Sequence, residues 1–383
     1  MANGALPKNV RTWAEREMDE STGVIDAKEK EKPPRLTSLD AFRGATVALM
    51  LLVNNIALDQ ATPTQLQHAP WGEWVRLADL VFPWFLLCAG LSLPFSYRSA
   101  IKRGVTYRAW VGKAFARAFW LVLLGIFLDC AINRQIMIGL DVLQLIGLAS
   151  FVAALLMPLK PLIRGIIAVT ALFAYGAALA LLPVPGPDRA VLSEHANLVQ
   201  YLNDAYFQPI GLRGLPSVVP TAALVILGSL VGGALAKVRH RIHVIAGGAA
   251  MALVGIVWTL FGHPMSKDIW TAPYIFFAGG TGGIIVASLA YALDGRPWAK
   301  LAAPLLVFGT NPLVAYVGPI LVKCLILQVW TSSDGRTLQK AWQDAMNAQF
   351  GNVGGGWAYT LGYILITWIV LAWLRRRGVV LRL

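Results

Sequence analysis

The sequence predicts an all-α polytopic membrane protein with about ten transmembrane helices and both termini in the cytosol. Three observations carry this. Of 383 residues, 57% are hydrophobic and 14% are charged, against ~25% charged in an ordinary soluble domain, so the charges are too few to cover a soluble surface of this size. Mean hydropathy is +0.60. The apolar residues also gather in runs close to the ~20 residues that cross a ~30 Å hydrocarbon core. The same composition excludes disorder for most of the chain, and three Cys exclude a disulfide scaffold. The net charge of +13 does not point to nucleic acid, because the basic residues sit in short clusters between apolar runs with no aromatic stacking motif beside them.

The elements follow in order. Residues 1–35 are charged, lack apolar periodicity and run into Lys32-Pro33-Pro34. They read as a cytosolic, mostly disordered tail rather than a signal peptide, and residues 36–383 form the transmembrane domain. Spans are expected at about 42–58, 76–96, 113–129, 140–158, 164–182, 217–236, 243–261, 271–293, 301–328 and 355–374. The ninth is long and contains Asn311-Pro312, so a break or a strong tilt is expected there. The Pro-rich stretch 183–187 and the Gly-rich stretch 351–356 read as loop or hinge. With the N-terminus inside, 25 Lys and Arg fall on the cytosolic side and seven outside, with Lys323 inside a span. That asymmetry sets the orientation, and Arg375-Arg376-Arg377 then ends the last span in the cytosol. Cys88, Cys130 and Cys324 lie in or at the ends of spans and are expected to be free thiols.

The polar residues that need partners cluster in the first helical hairpin. Asp40 and Arg43, three apart, share a helix face; they form an interfacial ion pair, or Arg43 faces a phosphate-bearing ligand. Asn54 and Asn55 lie in an apolar run near its outer end and need hydrogen-bond partners, either a neighbouring helix or a ligand carbonyl. His68 lies in the short outer loop Gln67-His68-Ala69-Pro70-Trp71, and Asp79 enters the second span on the same side. His68 is either a solvated loop side chain or a ring oriented by Asp79. His195, His240, His243 and His263 carry no such company, and no Cys/His/carboxylate cluster has zinc spacing. GxSxG, P-loop and dinucleotide motifs are absent from the sequence. These residues alone are compatible with an enzyme or with a secondary transporter of a small polar or anionic solute. Asn311-Pro312 is the one broken-helix feature that favours transport.

One family fits the hairpin. The run Arg35-Leu-Thr-Ser-Leu-Asp40-Ala-Phe-Arg43-Gly44, then Val53-Asn54, His68-Ala-Pro-Trp71 and Ala78-Asp79-Leu-Val-Phe-Pro83-Trp84-Phe85, resembles the heparan-α-glucosaminide N-acetyltransferase family. Weaker matches follow in the same order at Gly139–Gly147, Pro216–Pro220, His263–Trp270 and Gly309–Val317. The resemblance covers roughly residues 35–383. It implies a transmembrane acyltransferase that moves an acetyl group from cytosolic acetyl-CoA to an amino or hydroxyl group of a sugar or envelope glycan across the membrane. It implies no metal, and a bacterial-type member in the cytoplasmic membrane. Carried over residue by residue, the family's active-site His is matched by His68 and its nearby Asn by Asn54, with Asp79 the group that orients the ring. Arg43, Arg98, Lys102 and Arg103 are the candidates for the phosphates of CoA. Trp71 and Asn311 are the candidates for substrate contacts. His68 suits a general base, Asn54 an oxyanion donor, and direct transfer and an acetyl-His intermediate both remain open. Membrane lipids are the other expected partners, with no nucleic acid, and Gly-rich faces are compatible with a homodimer.

Overall fold

The computed structural model describes residues 36–184 and 192–381. The expected tail at 1–35 and most of the Pro-rich stretch lie outside the described residues. Those residues form an α-helical bundle, without a named β-strand among them. In chain order the helices are α1 (Thr37–Asn55), α2 (Leu77–Lys102), α3 (Tyr107–Asn133), α4 (Val142–Leu155), α5 (Pro161–Leu181), α6 (Leu198–Leu202), α7 (Val218–Leu235), α8 (Arg241–Leu260), α9 (Ala272–Leu293), α10 (Ala303–Thr310), α11 (Pro312–Val322) and α12 (Leu338–Arg376).

Among the described residues seven helices are long and apolar enough to cross a membrane, or eight if the broken pair around Asn311 is one span. Two of the ten expected spans fall short for physical reasons. The first, α1, is 19 residues long but carries Asp40, Arg43, Asn54 and Asn55, which lower its hydropathy. The fourth, α4, is apolar but has 14 residues, about 21 Å at 1.5 Å per residue, less than the hydrocarbon core. The expected break at Asn311-Pro312 is present as a 63° bend. The expected hinge at 351–356 is a kink at Gly351, whose φ of 72° needs glycine.

The bundle has an inner and an outer ring. In α2 78% of the most apolar window is buried inside the bundle, but only 22% in α3, α8 and α12, whose remaining apolar side chains are exposed on its outside. The inner seam between α2 and α7 closes on Gly90, Gly228 and Gly232, where a Cβ would collide with the backbone of the facing helix. Such small residues let membrane helices approach closely. Gly44 of α1 and Gly309 of α10 do the same at the second close crossing. Trp84 of α2 adds a hydrogen bond from its indole N–H to the Ala278 carbonyl of α9, at 3.1 Å. These contacts join α1 to α10 and α2 to α7 and α9, the frame that carries the loop between α1 and α2.

Candidate active site

The site grows from the start of α2. The helix begins at Leu77, so the backbone N–H groups of its first turn need partners outside the regular helical ladder. Asp79 stands in that turn and accepts from the backbone N–H of Arg76 at 3.0 Å and of Ala69 at 3.1 Å, both through Oδ2. A carboxylate here is stabilised by the helix dipole and ties the loop before the helix to the helix itself. Its other oxygen, Oδ1, lies 2.7 Å from Nδ1 of His68. Asp79 is 4% exposed and His68 52%, so the pair is a buried carboxylate holding an accessible ring. With Nδ1–H directed at Asp79, Nε2 carries the free lone pair. The loop is further fixed by Leu77 N–H donating to Gln65 Oε1 at 3.1 Å and by Arg76, which donates to the His68 carbonyl at 3.4 Å.

A second loop closes over the pair from the α8–α9 side. Thr271, fully buried, accepts from the Ser266 N–H and donates to the Pro264 carbonyl. Tyr175 of α5 donates to the Ile269 carbonyl at 2.7 Å. Tyr274 at the start of α9 donates to the backbone carbonyl of Asp79 at 2.6 Å. This scaffolding delivers Lys267, whose Nζ lies 3.4 Å from both ring nitrogens of His68. Burial lowers the Lys267 pKa, against the pull of Asp79, Asp268 and Asp141.

Two cavities meet at this pair. The larger, about 550 Å³, runs down between α1, α2, α4 and the loop around Asn203, and Asn54, Asp141, Tyr316 and Trp270 are among the residues on its wall. The smaller, about 160 Å³, opens towards Trp71 and Met265. His68, Lys267 and Asp268 line both. An accessible base, held by a buried carboxylate on the wall between two polar chambers, is an arrangement in which two substrates can meet.

The comparisons with known proteins point the same way. The sequence model described as "Heparan-alpha-glucosaminide N-acetyltransferase, catalytic" matches residues 35–257. The chain belongs to that family. It is 35% identical over 133 residues to the human heparan-alpha-glucosaminide N-acetyltransferase, covering 32% of this chain and 19% of that protein. The mouse protein of the same name is 32% identical over 131 residues, again 32% of this chain and 19% of the relative. The chain thus matches about a fifth of the length of these curated relatives.

Within the family framework the other predicted residues separate. Asn54 is exposed on the wall of the larger cavity, while its neighbour Asn55 is buried, donating to the Leu51 carbonyl and accepting from Lys323. So Asn55 has its partners within the bundle, and Asn54 faces the larger cavity. Trp71 lines the smaller cavity beside His68 and also packs on the Leu179–Val199–Ile269 cluster. Arg43 forms its ion pair with Asp40 at 3.5 Å. Arg98, Lys102 and Arg103 are exposed together at the far end of α2, about 29–36 Å along the axis from Asp79 at 1.5 Å per residue. Asn311 is not brought to either cavity wall. Its amide donates to the Val379 carbonyl at 2.9 Å and accepts from the Leu381 N–H at 3.0 Å, pinning the C-terminal segment to the helix break. All three cysteines are free. Sequence reasoning gave no role to Lys267, although the segment His263–Trp270 that carries it had a family match; a lone loop Lys shows no periodicity or spacing to signal contact with a His 199 residues away.

Proposed function

We propose that this protein is an acetyl-CoA-dependent transmembrane acetyltransferase, which carries an acetyl group from cytosolic acetyl-CoA to an amino or hydroxyl group of a sugar or glycan on the outer side of a bacterial cytoplasmic membrane. The reading takes the chain as ten spans with both termini inside, counting α1, α4 and the broken pair as crossings. The observation that carries it is the 2.7 Å contact between His68 Nδ1 and the buried Asp79 carboxylate, on the wall shared by two cavities.

The chemistry follows from that contact. The acceptor nitrogen or oxygen attacks the thioester carbonyl carbon while Nε2 of His68 takes its proton. Negative charge grows on the carbonyl oxygen, and the Asn54 amide is positioned to donate to it. The C–S bond then breaks, and the proton on His68 goes to the departing CoA sulfur. Asp79 holds the tautomer that leaves Nε2 unprotonated and stabilises the imidazolium that forms. Arg43 lies 11 residues before Asn54 on α1, about 16 Å along the axis, a distance suited to an extended pantetheine arm with its diphosphate at the guanidinium. Arg98, Lys102 and Arg103 mark the cytosolic surface where the nucleotide enters. The alternative reading, a secondary transporter, keeps the helix break at Asn311-Pro312 as its one feature, but the Asn311 amide is bonded at both ends to the C-terminal segment rather than turned to either cavity.

The test is release of free CoA by the purified full-length protein in detergent, with acetyl-CoA as donor and glucosamine as probe acceptor. His68→Ala should lower turnover on the order of 100-fold or more, the usual worth of a positioned base, and leave acetyl-CoA affinity unchanged. Wild-type turnover in the variant would remove His68 from the chemistry.

A further inference from the structure

The ammonium of Lys267 is placed where a general base would ordinarily not tolerate one. It lies 3.4 Å from Nδ1 and 3.4 Å from Nε2 of the same ring. Nδ1 is already engaged at 2.7 Å by Asp79, so at most one contact is a hydrogen bond, a long one to Nε2. Whether Lys267 donates to Nε2 or acts through its charge alone, the result is the same: a proton on Nε2 is disfavoured, because it would set imidazolium against ammonium. The position is built. The loop carrying Lys267 is fixed by Thr271, Tyr175 and Tyr274 through the hydrogen bonds given above. Burial lowers the Lys267 pKa, and the three carboxylates Asp79, Asp268 and Asp141 pull against that shift and favour the ammonium. Arg76 also lies close, contacting the His68 carbonyl and paired with Glu73 at 2.7 Å, and Asp129, Glu194 and Arg213 share the wall of the larger cavity.

We infer that Lys267 is a positioning residue that keeps the His68 ring neutral, with its one proton on Nδ1 facing Asp79 and its lone pair on Nε2 facing the cavities. The Asp79 carboxylate favours a charged ring; the ammonium of Lys267 opposes it through like charge while leaving the Nδ1 hydrogen bond intact. The electrostatic role of Lys267 is argued from its position against the ring, and its consequence for acetyl transfer rests on the function proposed above.

Carbethoxylation by diethyl pyrocarbonate tests the ionisation directly, since only neutral imidazole reacts, and His68 is accessible. The extent of modification at His68 is followed by mass spectrometry across pH, on the full chain in detergent without substrate. Lys267→Met keeps the length of the side chain and removes the charge. Its reactivity midpoint should rise by about one pH unit or more, while Lys267→Arg, which keeps the charge, should stay near wild type. Lys267→Gln is the second neutral variant, should the Met protein fail to fold. An unchanged midpoint in the neutral variants overturns the inference, and so does an equal rise in Lys267→Arg, which would assign the effect to packing. In turnover with acetyl-CoA and glucosamine, the acid limb of the kcat/KM profile of Lys267→Met should move up by the same interval and the activity recover at high pH, whereas a structural defect would lower it at every pH. If the midpoint shifts and the wild-type protein turns nothing over, the electrostatic role stands and the acetyltransferase reading fails.

Discussion

Asp79 does two jobs with one carboxylate. Oδ2 accepts two backbone N–H groups and so fixes the junction of loop and helix, and Oδ1 meets His68. Asn cannot serve both, because whichever way its amide is turned an NH₂ group meets a donor or the fixed tautomer is lost. Asp79→Asn is therefore expected to cost stability by about 1–3 kcal/mol, the penalty for a buried donor left unpaired, and to lower turnover by less than His68→Ala does, since the ring is still present. Thermal unfolding in detergent together with CoA release reads both. A variant as stable as wild type would show that the capping contacts carry no weight. At this scale the sequence was legible where a motif was dense: His68 and Asp79 lie 11 residues apart and could be paired on paper. Lys267 could not, since only the fold brings it from residue 267 to residue 68. The partners of Asn311 were illegible for a related reason: the Val379 carbonyl and the Leu381 N–H, which take both ends of its amide, lie about 70 residues away and are brought to it only by the fold.

Helix α1 ends in a way that matters for Asn54. Its last carbonyls would face an apolar interior without partners. Lys323, from the irregular turn after α11, donates to the Asn54 carbonyl at 3.3 Å and to Asn55 Oδ1 at 3.4 Å, and Thr360 of α12 donates to the Asn55 carbonyl at 3.3 Å. A cation at a helix C-terminus is favoured by the dipole. Here it also anchors the residue proposed to meet the thioester oxygen. Lys323→Met should loosen that end of α1. Turnover is expected to fall about tenfold, by loss of one positioning hydrogen bond worth about 1–1.5 kcal/mol, with acetyl-CoA affinity held, because the phosphate contacts lie at the other end of α1. Calorimetry with acetyl-CoA beside CoA-release kinetics separates the two; a large loss of affinity with unchanged kcat would place Lys323 in donor binding instead. The element itself was legible from its apolar run and its polar ends, but its partner was not. Lys323 reads in sequence only as a charge inside a span, and no local pattern says which helix end it serves.

For the whole molecule, composition decided the class, and charge placement decided the expected orientation. What composition could not give was the number of crossings. Hydropathy is a property of a segment, and two segments here, α1 and α4, take their places in the bundle by packing against neighbours rather than by their own apolar length. The broken pair around Asn311 adds a second reason, since its two halves are short, meet at a 63° bend and pass as a crossing only when taken together. Orientation is the point on which the chemistry depends: 25 Lys and Arg on one side against seven on the other predict that Arg98, Lys102 and Arg103 face the cytosol and His68 the outer compartment. The structure puts those groups at opposite ends of α2 or beside its start, so one labelling experiment fixes both. Single cysteines at positions 68 and 102, in a chain with Cys88, Cys130 and Cys324 replaced, are treated in intact cells with a membrane-impermeant maleimide that can pass the outer layers of the envelope. Position 68 should label in intact cells and position 102 only after the membrane is opened. The reverse pattern would put the proposed base on the side of the donor's nucleotide, and a transfer across the membrane would then have no acceptor end.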